Sequence, residues 1–289
     1  MMQNYDKPLV SIGLPVYNGE RFIRQALDSL LAQEYGNFEL IVSDNASADR
    51  TGEICQQYIL NDKRIQYLRS ETNRGGLWNF KRTLELASGT YFMWAAHDDM
   101  WLPDFVSSLA AELEVDPGAG IAMSATQIVD QSGKYLRTVR FDGDNNPNLL
   151  NHFQLLLRLI GWGRAKTKYN FYIYGLFRRE LLARAIGFLE DTYVGDRLFI
   201  SHMALATRFR YVDRLLYIRT EQALSPYERY PDENFARLAH EPLWRSLKPA
   251  LQLGRAIVNS RLVPFHRKLY APIAMWGMLR LLMRVGKPA

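Results

Sequence analysis

The sequence predicts an α/β protein, a mostly parallel sheet with helices on both faces followed by a C-terminal helical extension. Two observations carry this. In the first 125 residues, short apolar runs bounded by turn residues alternate with segments whose apolar positions recur at three and four. After Glu241 the chain has no acidic residue at all, and past Pro272 its basic residues share one stripe if the segment is helical.

Leu9 to Pro15 (LVSIGLP), Phe38 to Asp44 (FELIVSD), Ile65 to Ser70 (IQYLRS) and Tyr91 to Ala96 (YFMWAA) read as strands. Glu20 to Gln33, Arg50 to Leu60 and Gly76 to Ala87 read as amphipathic helices between them. Ser47 and Asp49 supply start signals for the second helix, and Pro103 with Asp104 opens another after the acidic pair. Strand and helix alternating at this spacing imply right-handed crossovers and a parallel sheet. Beyond Pro117 the expected elements are strands in GIAMSATQIVD and YLRTVRF, a loop at DGDNNPNLLN and a helix from Phe153 to Leu159. An aromatic strand (YNFYIYGLFRR), a helix from Arg179 and a helix after Gly195 follow.

With 289 residues and 48% hydrophobic composition, the chain can bury one large core or two smaller ones. The single cysteine, Cys55, excludes an internal disulfide and lies inside an expected helix, so it reads as a packed thiol and a reducing cytosol as the default compartment. The N-terminus lacks the pattern of a secretory signal, and no window approaches the roughly 18 uninterrupted apolar residues of a membrane span. The expected location is therefore cytoplasmic.

The net charge of +6 is unevenly placed. Nine basic residues follow Glu241, so the chain up to that point carries −3. If the segment after Pro272 is helical, Arg280, Arg284 and Lys287 share a stripe, with Met275, Trp276 and Met278 among the apolar residues around it. Such a helix suits the surface of an anionic membrane, which would make the protein peripheral on the inner face of the cell membrane; docking on the chain's own core is the competing reading. Basic and aromatic residues are not interleaved on any nucleic-acid module, so nucleic acid is not an expected partner.

In open α/β sheets ligands gather beyond the carboxyl ends of the strands. Four such ends carry polar groups. PVYNGE offers Tyr17 as a flat surface for a base, and SDNASAD offers Asp44 for ribose hydroxyls. ETNRGG offers the Arg74 fork beside two glycines, and HDD offers Asp98 and Asp99 as hard oxygen ligands for magnesium or manganese. Each has an ordinary structural reading as a packed ring, a turn or cap residue or a surface cation; together they fit a nucleoside diphosphate with a metal. The glycine patterns of dinucleotide-binding and P-loop proteins, the nucleophile elbow and a zinc ligand set are missing.

The run VSIGLPVYNGERFIRQALDSLLAQEYGNFELIVSDNASADRT, followed by NRGG, ASGTYFMWAAHDD and LPD, resembles the opening domain of family 2 glycosyltransferases, densely over about residues 8 to 130 and loosely to 220. The resemblance implies the GT-A fold, with a catalytic domain over 1–225 (nucleotide-sugar half about 8–125, acceptor half about 126–225) and a basic helical extension over 226–289. It implies transfer of a hexosyl group from a nucleotide diphosphate sugar to an acceptor hydroxyl, with inversion and with Mg2+ or Mn2+, in surface polysaccharide or lipid-linked glycan assembly. Matched by position, Pro15, Tyr17 and Glu20 contact the nucleoside, Asp44 meets the base or ribose, Arg74 lies in the same pocket, Asp98 touches the ribose or the metal region, and Asp99 is the metal ligand. His97 departs from the pattern, because many relatives have a carboxylate there; it reads as a pocket-wall residue.

The family also places a catalytic base at the start of a helix in the second half. Asp196, opening the helix after Gly195, is the expected base, with Glu190 and Asp191 as competitors and a helix cap as its ordinary reading. Gly175 would let the acceptor strand approach the sugar. Glu221 replaces a histidine common in relatives and leaves Arg219 as the diphosphate contact on that loop. The alternatives are a nucleotide-sugar-binding protein without transferase activity and a sugar-phosphate nucleotidyltransferase. The latter needs a Gly-rich basic first loop, which PVYNGERF does not provide.

Overall fold

The computed structural model describes residues 7–160, 169–190, 194–222 and 242–285. The strands are β1 (Val10–Val16), β2 (Phe38–Asp44), β3 (Ile65–Arg69), β4 (Tyr91–Trp94), β5 (Met100–Trp101), β6 (Ala119–Val129), β7 (Tyr135–Val139), β8 (Leu176–Arg178) and β9 (Arg208–Thr220). The helices are α1 (Ile23–Leu31), α2 (Thr51–Ile59), α3 (Gly76–Glu85), α4 (Phe105–Val115), α5 (His152–Leu159), α6 (Arg179–Ala185), α7 (Gly195–Ala206), α8 (Pro242–Asn259), α9 (Phe265–Lys268) and α10 (Ala271–Val285).

The strands form one sheet in the order β3-β2-β1-β4-β8-β6-β9-β5, with β7 paired to β6. β3, β2, β1 and β4 are mutually parallel, while β8 runs antiparallel to both β4 and β6. The first four strands are thus parallel, as expected, and the sheet turns mixed beyond β4. All of β1 is buried, as a central strand covered on two faces must be. The close seat of α3 depends on Gly13: a Cβ there would come within 2.6 Å of Thr83 Oγ1. Helix α1 buries Ile23, Ala26, Leu27 and Leu30, the stripe its sequence spacing requires. Trp94, wholly buried, sits edge-on to Phe92 and Phe177 at 5.1 and 5.8 Å. Cys55 is buried as expected, and burial pushes its thiol pKa up to about 12.

Two compact units emerge. One comprises residues 1–140, 174–183 and 210–223, and holds most of the sheet; the other comprises 141–173, 184–209 and 224–289. In the second unit, α5 opens with a capping box between Asn151 and Gln154. Leu156 of α5, Leu198 and Leu205 of α7, Leu253 and Ile257 of α8, and Ala274 and Met278 of α10 meet in its core. The C-terminal helices therefore share a core with earlier parts of the chain. The expected aromatic strand is a correction: Tyr169–Tyr174 wind into a 3₁₀ helix, and only Leu176–Arg178 are extended. Tyr172 is wholly buried within this unit, its ring 4.8 Å from Phe209 and 6.0 Å from Phe141. Aromatic enrichment marks a core position and does not by itself choose between extended and wound backbone.

Candidate active site

The carboxyl ends of β1 and β2 are laced together. Val16 passes into Asn18, which adopts φ +51, a conformation that asparagine tolerates better than most residues. From there Asn18 N–H donates to Ser47 Oγ at 2.9 Å, Ala48 N–H to Asn18 Oδ1 at 2.8 Å, and Gly19 N–H to Thr51 Oγ1 at 2.8 Å. Pro15 is buried in β1, and Tyr17 is half-buried at its end. Glu20 is exposed and accepts the Arg50 N–H at 3.0 Å, supporting the entry to α2.

Asp44 ends β2 with no exposed surface. Its Oδ1 accepts the Ser47 N–H at 2.8 Å, its Oδ2 accepts the Tyr67 hydroxyl at 2.6 Å, and Arg69 Nε lies 3.6 Å away. The expected ribose contact therefore reaches Asp44 only if Tyr67 or Arg69 gives way. Burial and the Asp44 charge hold the Tyr67 phenol well above its ordinary pKa. The next residue, Asn45, ties in the third tip: it accepts the Arg74 N–H at 3.0 Å and donates to Asn73 Oδ1 at 2.6 Å. Gly75, at φ +86, completes that turn in backbone that only glycine adopts freely. Arg74 is exposed, with its guanidinium 4.2 Å over the Trp78 ring.

The β4 tip meets the β1 tip directly, since a Cβ on Gly19 would come within 2.9 Å of His97 Cδ2. His97 thus packs against the glycine turn. Asp98 is half-buried and Asp99 is 2% exposed. Asp99 Oδ1 accepts the Thr220 N–H at 2.9 Å, and its Oδ2 accepts the Tyr217 hydroxyl. The Tyr217 ring is itself stacked on Trp101 at 5.8 Å. Asp98 Oδ2 accepts from Gln222 Nε2 at 2.6 Å, and a relay continues through Gln131 to Arg21, with steps of 3.0 and 2.7 Å.

The acidic pair is electrostatically unbalanced. Burial, and after it the neighbouring Asp98 charge, raise the Asp99 pKa to about 7; the Tyr217 hydrogen bond and the Arg219 charge pull the other way. Arg219 is held above its ordinary value by Tyr217, Tyr174, Asp99 and Asp98 against the cost of its own burial. Two carboxylates answered by one guanidinium fit a further cation in charge and in hard oxygen chemistry. In access they differ: Asp98 is the reachable member, whereas Asp99, the expected metal ligand, faces inward. Among the described residues no group of three or more acidic, histidine or cysteine side chains is placed to hold a metal.

Glu221 forms a two-pronged ion pair with Arg137, at 2.6 and 2.9 Å. Asn45, Tyr217, Thr220 and Gln222 were not singled out by sequence; Tyr217 and Thr220 belong to the unrecognised strand β9 and Gln222 to the loop after it. In the second unit, Asp196 occupies the first turn of α7, half-buried, with Oδ1 accepting the Arg197 N–H at 2.7 Å. Glu190 is exposed and accepts from Gln252, while Asp191 lies outside the described residues.

A β3-β2-β1-β4 parallel sheet continued by antiparallel strands, with an acidic pair at the β4 tip, defines the GT-A class of glycosyltransferases. Solved structures agree on that fold. Staphylococcus aureus TarS in complex with UDP aligns with TM-score 0.65 at 19% identity, covering 93% of this chain and 70% of that one. A mannosyltransferase from Pyrobaculum calidifontis in complex with GDP-Man and Mn2+ aligns with TM-score 0.54 at 17% identity, over 98% and 77%. The sequence profile of glycosyl transferase family 2 matches residues 11–185, and the chain belongs to that family. The uncharacterized glycosyltransferase EpsJ of Bacillus subtilis is 30% identical over 244 residues, 80% of this chain and 67% of that protein. An uncharacterized glycosyltransferase of Rickettsia typhi is 35% identical over 143 residues; there the match spans 49% of this chain and only 44% of the relative.

Proposed function

We propose that the protein transfers a hexosyl group, with inversion, from a nucleotide diphosphate sugar to an acceptor hydroxyl in surface polysaccharide or lipid-linked glycan assembly. The observation that carries this is that the β1, β2 and β3 tips are hydrogen-bonded to one another, while the β4 tip, bearing Asp98 and Asp99, packs on the β1 tip and is bonded to the end of β9 and the loop after it. Family membership and the nucleotide-bound neighbours support it. Tyr17 and Arg74 frame the nucleoside, with Pro15, Glu20 and Asp44 shaping the turns around it. A divalent cation, Mg2+ or Mn2+, held at Asp98, with Asp99 adding its charge from behind, would neutralise charge on the departing diphosphate. Arg219 adds a fixed positive charge beside that pair. Asp196 is the base that takes the proton of the attacking hydroxyl. The acceptor is presented at a membrane surface.

Calorimetry with UDP, GDP and dTDP, each with and without Mn2+, tests this reading. One of them is expected to bind, and more tightly with the cation; if none binds, the reading fails, and if one binds without any transfer, the protein is a nucleotide-sugar binder. A second measurement concerns Gln222, whose amide orients Asp98. A hydrogen bond to a charged group contributes about 1.5–3 kcal/mol when sheltered, and less at this half-exposed site. Gln222→Ala is therefore expected to weaken nucleotide binding about three- to tenfold with Mn2+ and hardly at all without it. Equal losses in both conditions would mean that Gln222 contacts the nucleotide and does not position Asp98.

A further inference from the structure

An ordinary core-docked helix turns its apolar stripe inward and a polar one outward. The α9–α10 segment does not. Tyr270 N–H to Arg267 O and Ala274 N–H to Tyr270 O carry the hydrogen-bond ladder between the two helices. On the inner side Ala271, Ala274 and Met278 enter the core of the second unit, as docking requires. The outer side nevertheless carries Phe265 at 81% exposure, Leu269 at 68%, Ile273 at 36% and Trp276 at 57%, with Pro272 also exposed. At 100° per residue these five fall within an arc of about 100°, so they form one row. Four large apolar side chains in a continuous exposed row are more than the scattered hydrophobics of a normal surface.

We propose that this row docks on the surface of an anionic lipid bilayer. The charge around it selects that occupant over a second protein. Arg261 and Arg280 stand exposed at its two ends and His266 beside Phe265, and no acidic side chain follows Glu241 in the sequence. Exposed tryptophan and phenylalanine are the residues that settle at the headgroup boundary. No helix among the described residues is long and apolar enough to cross a membrane, so the contact lies in the interface. The basic stripe anticipated at Arg280, Arg284 and Lys287 is only partly described, and Lys287 lies outside the described residues; the apolar row is what the sequence pattern did not reveal. The inference deepens the membrane part of the proposed function, and its test uses no nucleotide, so either can fail without the other.

The test is sedimentation of the full chain with phosphatidylcholine vesicles, with and without phosphatidylglycerol. The wild type is expected to pellet with the anionic vesicles, and less so as salt is raised. The double variant Phe265→Gln, Trp276→Gln, altered only at exposed positions, is expected to lose at least tenfold in partitioning with an unchanged melting temperature. Leu60→Gln, which removes an 86% exposed leucine from the first unit, is expected to pellet as the wild type does. The proposal is overturned if the wild type ignores anionic vesicles or if the double variant pellets equally well. It is also overturned if light scattering finds a dimer that the same double variant abolishes while vesicles are not bound, since the row would then belong to a second copy.

Discussion

Asp196→Asn is expected to lower kcat for sugar transfer by about 10²- to 10⁴-fold while leaving the affinity for the nucleoside diphosphate unchanged. The amide keeps the shape of the carboxylate and an oxygen that can accept the Arg197 N–H, yet it cannot accept a proton at neutral pH. A structural role would give a different result. Loss of a negative charge from the first turn of α7 costs about 0.3–1 kcal/mol through the helix dipole, which a melting curve reports and kcat does not. Should the variant melt slightly earlier but transfer sugar at the wild-type rate, Asp196 is a helix-end residue only, and the base lies elsewhere.

The second large effect is on stability. His202 on α7 is wholly buried, its ring 4.3 Å from that of Phe188, and neither ring nitrogen has a hydrogen-bond partner among the described residues. Burial pushes its pKa down to about 4, against about 6.5 in an unfolded chain. Between those values the unfolded chain takes up a proton that the native protein refuses, so stability falls as pH falls through that window. The integrated loss from pH 7 to pH 4 is about 3 kcal/mol from this residue alone. His152, half-buried with its ring bound to Ala204 O at 2.7 Å, is also depressed by burial and acts in the same direction. The measurement is therefore a difference: urea unfolding of wild type and His202→Met at pH 7 and pH 4, with the variant expected to lose about 3 kcal/mol less. Parallel losses would show that the His202 ring finds a polar partner in solution.

The first four strands and their helices were legible because each combines a clean period with a start or stop residue. The FELIVSD run forms β2 end to end, Phe38–Asp44, as the sequence has it. The tips could be named for the same reason, since a parallel sheet fixes which strand ends share an edge. What stayed hidden was β9. In RFRYVDRLLYIRT the alternation of Phe209 and Tyr211 breaks at Asp213 and Arg214, where Arg140 and Asp104 pair with the strand's charges. The residues that hold Asp99 and Asp98 come from this strand and the loop after it. Asp44 shows the converse limit: a carboxylate at a strand end is visible in sequence, but whether a ligand or Tyr67 occupies it is a tertiary matter. Residue type offers a chemistry for the edge but does not say which of two adjacent aspartates is reachable.

Interleaving of the two units has a practical corollary. Because Leu253, Ile257, Ala274 and Met278 complete a core begun by Leu156 and Leu198, clipping the polypeptide near residue 225 would unroof that core and not trim an appendage. Chimeras that exchange this unit between relatives would need to carry three separate stretches of sequence together, and a graft of the final helices alone should yield insoluble protein.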